Sequence, residues 1–109
     1  MIRSTHGFVL TLALFASSAH ADEALIATGR AIAAQNCSRC HAIGSDDSSP
    51  NPKSPPFRTL AKKYPLSYLE EAFGEGIMVG HEGPEMPNFR FDAGQVEALL
   101  AFLKSIQKQ

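Results

Sequence analysis

Apolar residues return at helical spacing in three stretches of the chain. In the first, Leu25, Gly29, Ile32, Ala33 and Asn36 share one face, which predicts a helix from Asp22 to Asn36. Glycine inside a helix costs about 1 kcal/mol against alanine, so Gly29 points to the close approach of another helix. In the second, Leu66, Leu69, Phe73 and Ile77 form an amphipathic face behind Pro65, which suits a first helical position. Glu70 and Glu71 point away from that face, and Gly74 and Gly76 end the element. The third has the best-marked start. Asp92 and Gln95 form a capping-box pair, Phe91 and Val96 stand at the two staple positions, and Val96, Leu99, Leu100, Leu103 and Ile106 continue as a core stripe.

Between these stretches the periodicity stops. Ala42 to Pro56 is rich in Ser, Asp, Asn and Pro, and Pro50, Pro52, Pro55 and Pro56 exclude a regular helix there. A loop of that length in a small domain is often functional. Phe57 to Lys63 predicts a short helical turn, and Gly80 to Phe91 a second irregular stretch. Strand signals are nearly absent, and no internal repeat is visible. The expected fold class is all-α, with helices joined by two long loops.

The beginning of the chain follows another logic. Arg3 precedes an apolar run from Gly7 to Ala16, and small residues lead to Ala19-His20-Ala21, a small-x-small pattern of the kind cut by signal peptidase. The expectation is a secretory signal over residues 1–21 and one domain over residues 22–109. An uncleaved anchor is the alternative, but the apolar run is short against the roughly 20 residues a membrane helix needs. A domain of this size buries a modest core and often needs a staple, metal or cofactor. Ten Lys/Arg against eleven Asp/Glu give a formal charge of −1, without the basic excess that nucleic-acid binding requires.

The chemistry concentrates in Cys37-Ser38-Arg39-Cys40-His41. A bridge between cysteines so close in sequence would constrain little of the unfolded chain. The C-x-x-C-H order is instead the signature of covalent c-type haem attachment. On a helical turn, positions i, i+3 and i+4 share a face, so two sulfurs and one imidazole can meet the same object. Each thiol can add to one haem vinyl group, and the imidazole can reach the iron. A thioredoxin-like redox pair would need βαβ context, and no strand precedes Cys37. A zinc site would need four ligands as a rule, and beyond the motif residues 22–109 offer only His81 as a further Cys or His, with no second C-x-x-C or H-x-x-x-H pair. A plain disulfide leaves His41 unexplained.

The sixth iron ligand would come from Met86, Met78 or His81, or the site would stay open. Met86 is favoured because Gly83-Pro84-Glu85-Met86-Pro87 is a proline-bracketed strap, stiff enough to hold a thioether over a flat macrocycle. Met78 reads as packing, and His81 as a solvated loop histidine.

With these residues in view, residues 22–109 resemble the class I monohaem cytochromes c. Gly29 matches that family's helix-crossing glycine, and Leu99 and Phe102 in Leu99-Leu100-Ala101-Phe102-Leu103-Lys104 match the positions packed on it. Met86-Pro87 matches the axial methionine and its following proline. Pro55 in Ser54-Pro55-Pro56-Phe57 matches the proline whose carbonyl accepts a hydrogen bond from the ligating imidazole, with Pro56 as the competing position. The resemblance implies a small cytochrome c fold, with terminal helices crossing around one covalent haem. The chain departs from the family in lacking tryptophan, so Tyr64, Tyr68 or Arg58 would stand in at a haem propionate. It also lacks a basic docking ring; Lys62 and Lys63 are an isolated pair, and Glu70, Glu71, Glu75, Glu82 and Glu85 crowd elsewhere.

The implied function is single-electron transfer by a periplasmic carrier with His41/Met86 ligation, acting as a monomer and not as an enzyme. Its expected partners are redox proteins: a dehydrogenase, an oxidase or a respiratory complex. No nucleic acid is involved, and no membrane span remains after cleavage. The competing reading is a haem sensor or ligand-binding protein with a labile sixth site.

Overall fold

The computed structural model describes residues 2–9, 16–76, 86, 87 and 89–108, the side chains of 16–18 excepted. Its elements are α1 (Ala16–Asn36), a 3-10 turn (Phe57–Thr59), α2 (Leu60–Lys63), α3 (Leu66–Glu75) and α4 (Ala93–Ile106). No strand occurs among the described residues, so the all-α expectation holds. Ile77, Met78 and His81 lie outside the described residues.

α1 starts ahead of the expected Asp22 and runs through Ala19-His20-Ala21. Its first turns are rich in alanine, the best helix former, and hold neither Gly nor Pro to stop the helix. Residues 19–24 are exposed, and burial begins at Leu25 and Ile26. The part of α1 that builds the fold is therefore its C-terminal half, which packs on α4.

That crossing turns on Gly29. A Cβ placed there would overlap the carbonyl oxygen of Ala98 and come within 2.8 Å of the Phe102 Cβ. The expected partners were Leu99 and Phe102. Phe102 is confirmed, but the tightest approach is to the backbone of Ala98, because α4 presents its carbonyl there. Leu99 is buried in the core beside Leu103 and Phe102.

α4 opens as its sequence dictates. The Asp92 carboxylate accepts from the Gln95 amide at 2.8 Å, and the Gln95 side chain accepts from the Asp92 amide at 3.1 Å. Phe91 and Val96 are both buried at the staple positions. The Phe91 amide donates to the Phe73 carbonyl at 3.0 Å, and the two rings meet edge to face. This ties the start of α4 to α3.

α3 begins one residue later than expected. Pro65 has ψ 136° and acts as the N-cap, while its carbonyl already accepts from the Tyr68 amide. Gly74 lies inside the helix. Gly76 alone ends it, at φ 115°, with its amide on the Ala72 carbonyl; glycine takes that left-handed backbone without a side-chain clash. The core joins Ala33 of α1, Phe57, Leu60 and Phe73 of the middle segments, and Val96, Leu99, Leu100, Phe102 and Leu103 of α4. No helix among the described residues is long and apolar enough to cross a membrane.

Candidate haem site

The C-x-x-C-H motif sits where α1 ends. The Cys37 and Ser38 amides both reach back to the Ala33 carbonyl, at 2.8 and 3.1 Å. The Cys37 carbonyl then accepts from the Cys40 and His41 amides, at 3.2 and 2.9 Å. The motif thus continues as hydrogen-bonded turns, which hold positions i, i+3 and i+4 near one another. Cys37 and Cys40 are half-buried and unbridged.

His41 is buried, and its ring is fixed on two sides. Its Nδ1 lies 2.8 Å from the Pro55 carbonyl, fourteen residues along the chain. A carbonyl can only accept, so Nδ1 carries the proton and the neutral ring keeps its lone pair on Nε2. The Phe57 ring lies against it, with centroids 4.9 Å apart. The competing carbonyl, that of Pro56, is engaged elsewhere: it accepts from the Thr59 amide at 3.0 Å and from the Thr59 hydroxyl at 2.9 Å. The proline pair therefore divides its work, one carbonyl orienting the imidazole and the next starting the 3-10 turn.

The loop between His41 and Pro55 is pinned to the motif along its length. The Asn51 amide donates to the Cys40 carbonyl, the Ala42 amide to the Ser49 hydroxyl, and the Phe57 amide to the Ala42 carbonyl. Arg58 holds the loop from outside, donating to the Asp47 carbonyl at 2.7 Å with the Asp47 carboxylate at 3.5 Å.

A cavity of about 430 Å³ opens beside this motif. Cys37 and His41 line it together with Pro55 and Phe57; Leu60, Leu69, Ala72 and Phe73 add aliphatic and aromatic surface; Met86 lines it as well. Cys40 is not among the lining residues. Met86 is half-buried and packs against the core. Tyr64 and Tyr68 stand at the cavity, their rings stacked 6.4 Å apart, while Arg58 does not line it. Glu71, expected to point away, lines the cavity together with Glu75. The signal missed there is α3's proximity to the site: Tyr68, Ala72 and Glu75 fall on the same side of α3 as Glu71.

The chemistry of the lining suits a flat apolar cofactor with a metal at its centre. Volume and composition match those of cofactor sites, which are mostly apolar with a few placed polar groups. A thiol and an imidazole from one motif and a thioether from a distant segment face the same space. A dithiol redox pair is disfavoured by charge: burial pushes the Cys37 thiol up to about 11, whereas a reactive C-x-x-C needs a lowered value. Among the described residues no group of three or more His, Cys, Asp and Glu side chains gathers to hold a metal ion unaided.

The family model for cytochrome c matches residues 26–107, from the buried half of α1 to the end of α4. Among curated proteins and among solved structures, nothing matches.

Proposed function

The chain belongs to the cytochrome c family, and we propose that it is a periplasmic carrier of single electrons with His41 and Met86 as the axial ligands of one covalent haem. A haem-based electron-transfer role follows from the family itself. The observation that carries the finer reading is one cavity lined by Cys37, His41 and Met86, with the His41 Nδ1 proton committed to Pro55. That commitment leaves Nε2 as the donor atom of the imidazole. Cys37 and Cys40 would form the two thioether bonds. Haem, when bound, supplies the one-electron Fe(II)/Fe(III) couple.

The residues around it set how that couple behaves. A soft thioether opposite an imidazole favours ferrous iron and raises the potential. The apolar walls, Leu60, Leu69 and Phe73, exclude water and raise the cost of the ferric charge. Were His41 and Met86 both to hold the iron, substrate would have no ready place on it, which would fit a carrier and not an enzyme. Tyr64 and Tyr68, standing at the cavity, are the candidates for the propionates. The partners are redox proteins, a dehydrogenase, an oxidase or a respiratory complex, met by a monomer.

Export fits the same picture, since C-x-x-C-H and the leader-like residues 1–21 occur in one chain. The first turn of α1 as it stands carries no acidic residue. Cleavage after Ala21 would leave Asp22 and Glu23 in the first turn, where carboxylates favour the helix dipole.

Acid–acetone extraction and a denaturing gel test the assignment. Haem stays with the polypeptide in the parent, and replacing both Cys37 and Cys40 by Ala abolishes the linkage. Haem released from the parent by that treatment would end the c-type reading.

A further inference from the structure

We propose that Gln107, just beyond the end of α4, is a positioning residue for the His41 imidazole, acting through Phe57; this deepens the haem-carrier reading above and rests on it. The Gln107 amide nitrogen donates to the Phe57 carbonyl at 2.8 Å and to the Leu103 carbonyl at 2.8 Å. Its oxygen accepts from the Ala61 amide at 2.8 Å. One side chain thus uses both ends of its amide to join the last turn of α4 to the 3-10 turn and α2. The next residue adds a second tie, the Lys108 amide donating to the Arg58 carbonyl at 3.0 Å. Backbone groups of residues 57, 58 and 61 are held from the far end of the chain.

The segment so held is the one that orients the haem ligand. Phe57 lays its ring on His41 and donates its amide to the Ala42 carbonyl, and Pro55, two residues earlier, accepts from His41 Nδ1. Two prolines in succession, Pro55 and Pro56, leave little play between the held carbonyl of Phe57 and the carbonyl that meets the imidazole. Gln107 touches neither His41 nor the cavity. Its effect passes through a short stiff stretch of backbone.

The experiment compares the parent holoprotein with Gln107→Ala, Gln107→Glu and Ser105→Ala. Ser105 donates to the Phe102 carbonyl at 2.6 Å, so its loss perturbs the same helix end without touching residues 57–61. Backbone hydrogen exchange and the midpoint potential are measured on each. In Gln107→Ala the Ala61 amide loses its partner, and the Phe57 amide, which Gln107 does not contact, exchanges roughly tenfold faster or more. The potential rises, because an imidazole less firmly hydrogen-bonded through Nδ1 is a poorer donor to ferric iron. Ser105→Ala leaves the Phe57 amide and the potential at parental values. Gln107→Glu at neutral pH keeps the acceptor for the Ala61 amide but cannot donate to the Phe57 carbonyl, so Phe57 loses protection there, and it moves back toward the parent in acid, where the carboxyl regains one donor. Faster exchange confined to Ala61 with an unchanged potential overturns the proposal, as does an equal shift in Ser105→Ala. If Gln107→Ala does not fold, Gln107→Glu decides within one chain: an unchanged Phe57 protection factor, the exchange rate taken relative to the intrinsic rate at each pH, across its titration overturns the proposal. A parent that binds haem but does not cycle between redox states would instead remove the carrier reading, and the exchange data on that folded protein would still decide whether Gln107 holds Phe57.

Discussion

An imidazole that binds a metal through one nitrogen needs its other nitrogen held, or the ring swings. For His41, the proposed ligand, that holder would be the Pro55 carbonyl, 2.8 Å from Nδ1, with the Phe57 ring tilted against the imidazole. The C-x-x-C-H motif is legible in sequence because its parts lie within one turn. Pro55 was legible only through family resemblance, since the bond spans fourteen residues of loop without periodicity. Phe57 enters the sequence reading only as the start of a short helical turn, and Gln107 does not enter it, because nothing in residue type or spacing reveals a contact made across the fold. At this scale the sixth ligand gives the clearest prediction. Met86→Ala should open the iron and let carbon monoxide or cyanide bind quickly. Met86→His should keep six-coordination and lower the midpoint potential, because a second imidazole favours ferrous iron less than a thioether does. Met78→Leu should leave spectrum and potential nearly unchanged; an effect of Met78→Leu as large as that of Met86→Ala would move the ligand assignment.

Elements carry the fold through a few contacts between distant parts of the chain. The close approach of α1 to α4 at Gly29 leaves no room for a side chain against the Ala98 carbonyl. Gly29→Leu should destabilise the holoprotein by about 1–3 kcal/mol, and more where the helices separate. A denaturant midpoint equal to the parent's would show that the crossing tolerates the added volume. The capping box makes a smaller demand. Asp92→Ala should cost about 1 kcal/mol by the same measurement, with the spectrum of the haem unaltered. Both features were visible in the sequence, the first as an unexplained glycine in a helical pattern and the second as a fixed spacing of residue types. The start of α1 was not, because an alanine-rich run carries no stop signal and the chain simply continues as helix. The start of α3 slipped by one residue because Pro65 suits an N-cap as well as a first turn.

On the scale of the whole molecule, the cavity interrupts the core. Cys37, His41, Phe57, Leu60, Phe73 and Met86 all line it, and Phe57, Leu60 and Phe73 are also core residues. Covering several hundred Å² of apolar surface with haem contributes on the order of 10 kcal/mol at roughly 25 cal/mol per Å², as much as the whole stability of a typical domain, about 5–15 kcal/mol. The chain without haem should therefore be largely unfolded. Circular dichroism of haem-free protein checks this, and a cooperative thermal transition with full helix content would contradict it. The same closure decides what the molecule does, since a carrier keeps both axial positions filled and a sensor leaves one labile. The most direct measurement is the near-red absorption of the oxidised parent holoprotein, followed by exposure of the reduced protein to carbon monoxide. The carrier account predicts the weak sulfur-to-iron band and slow or negligible binding of the gas; an absent band together with rapid binding would contradict it.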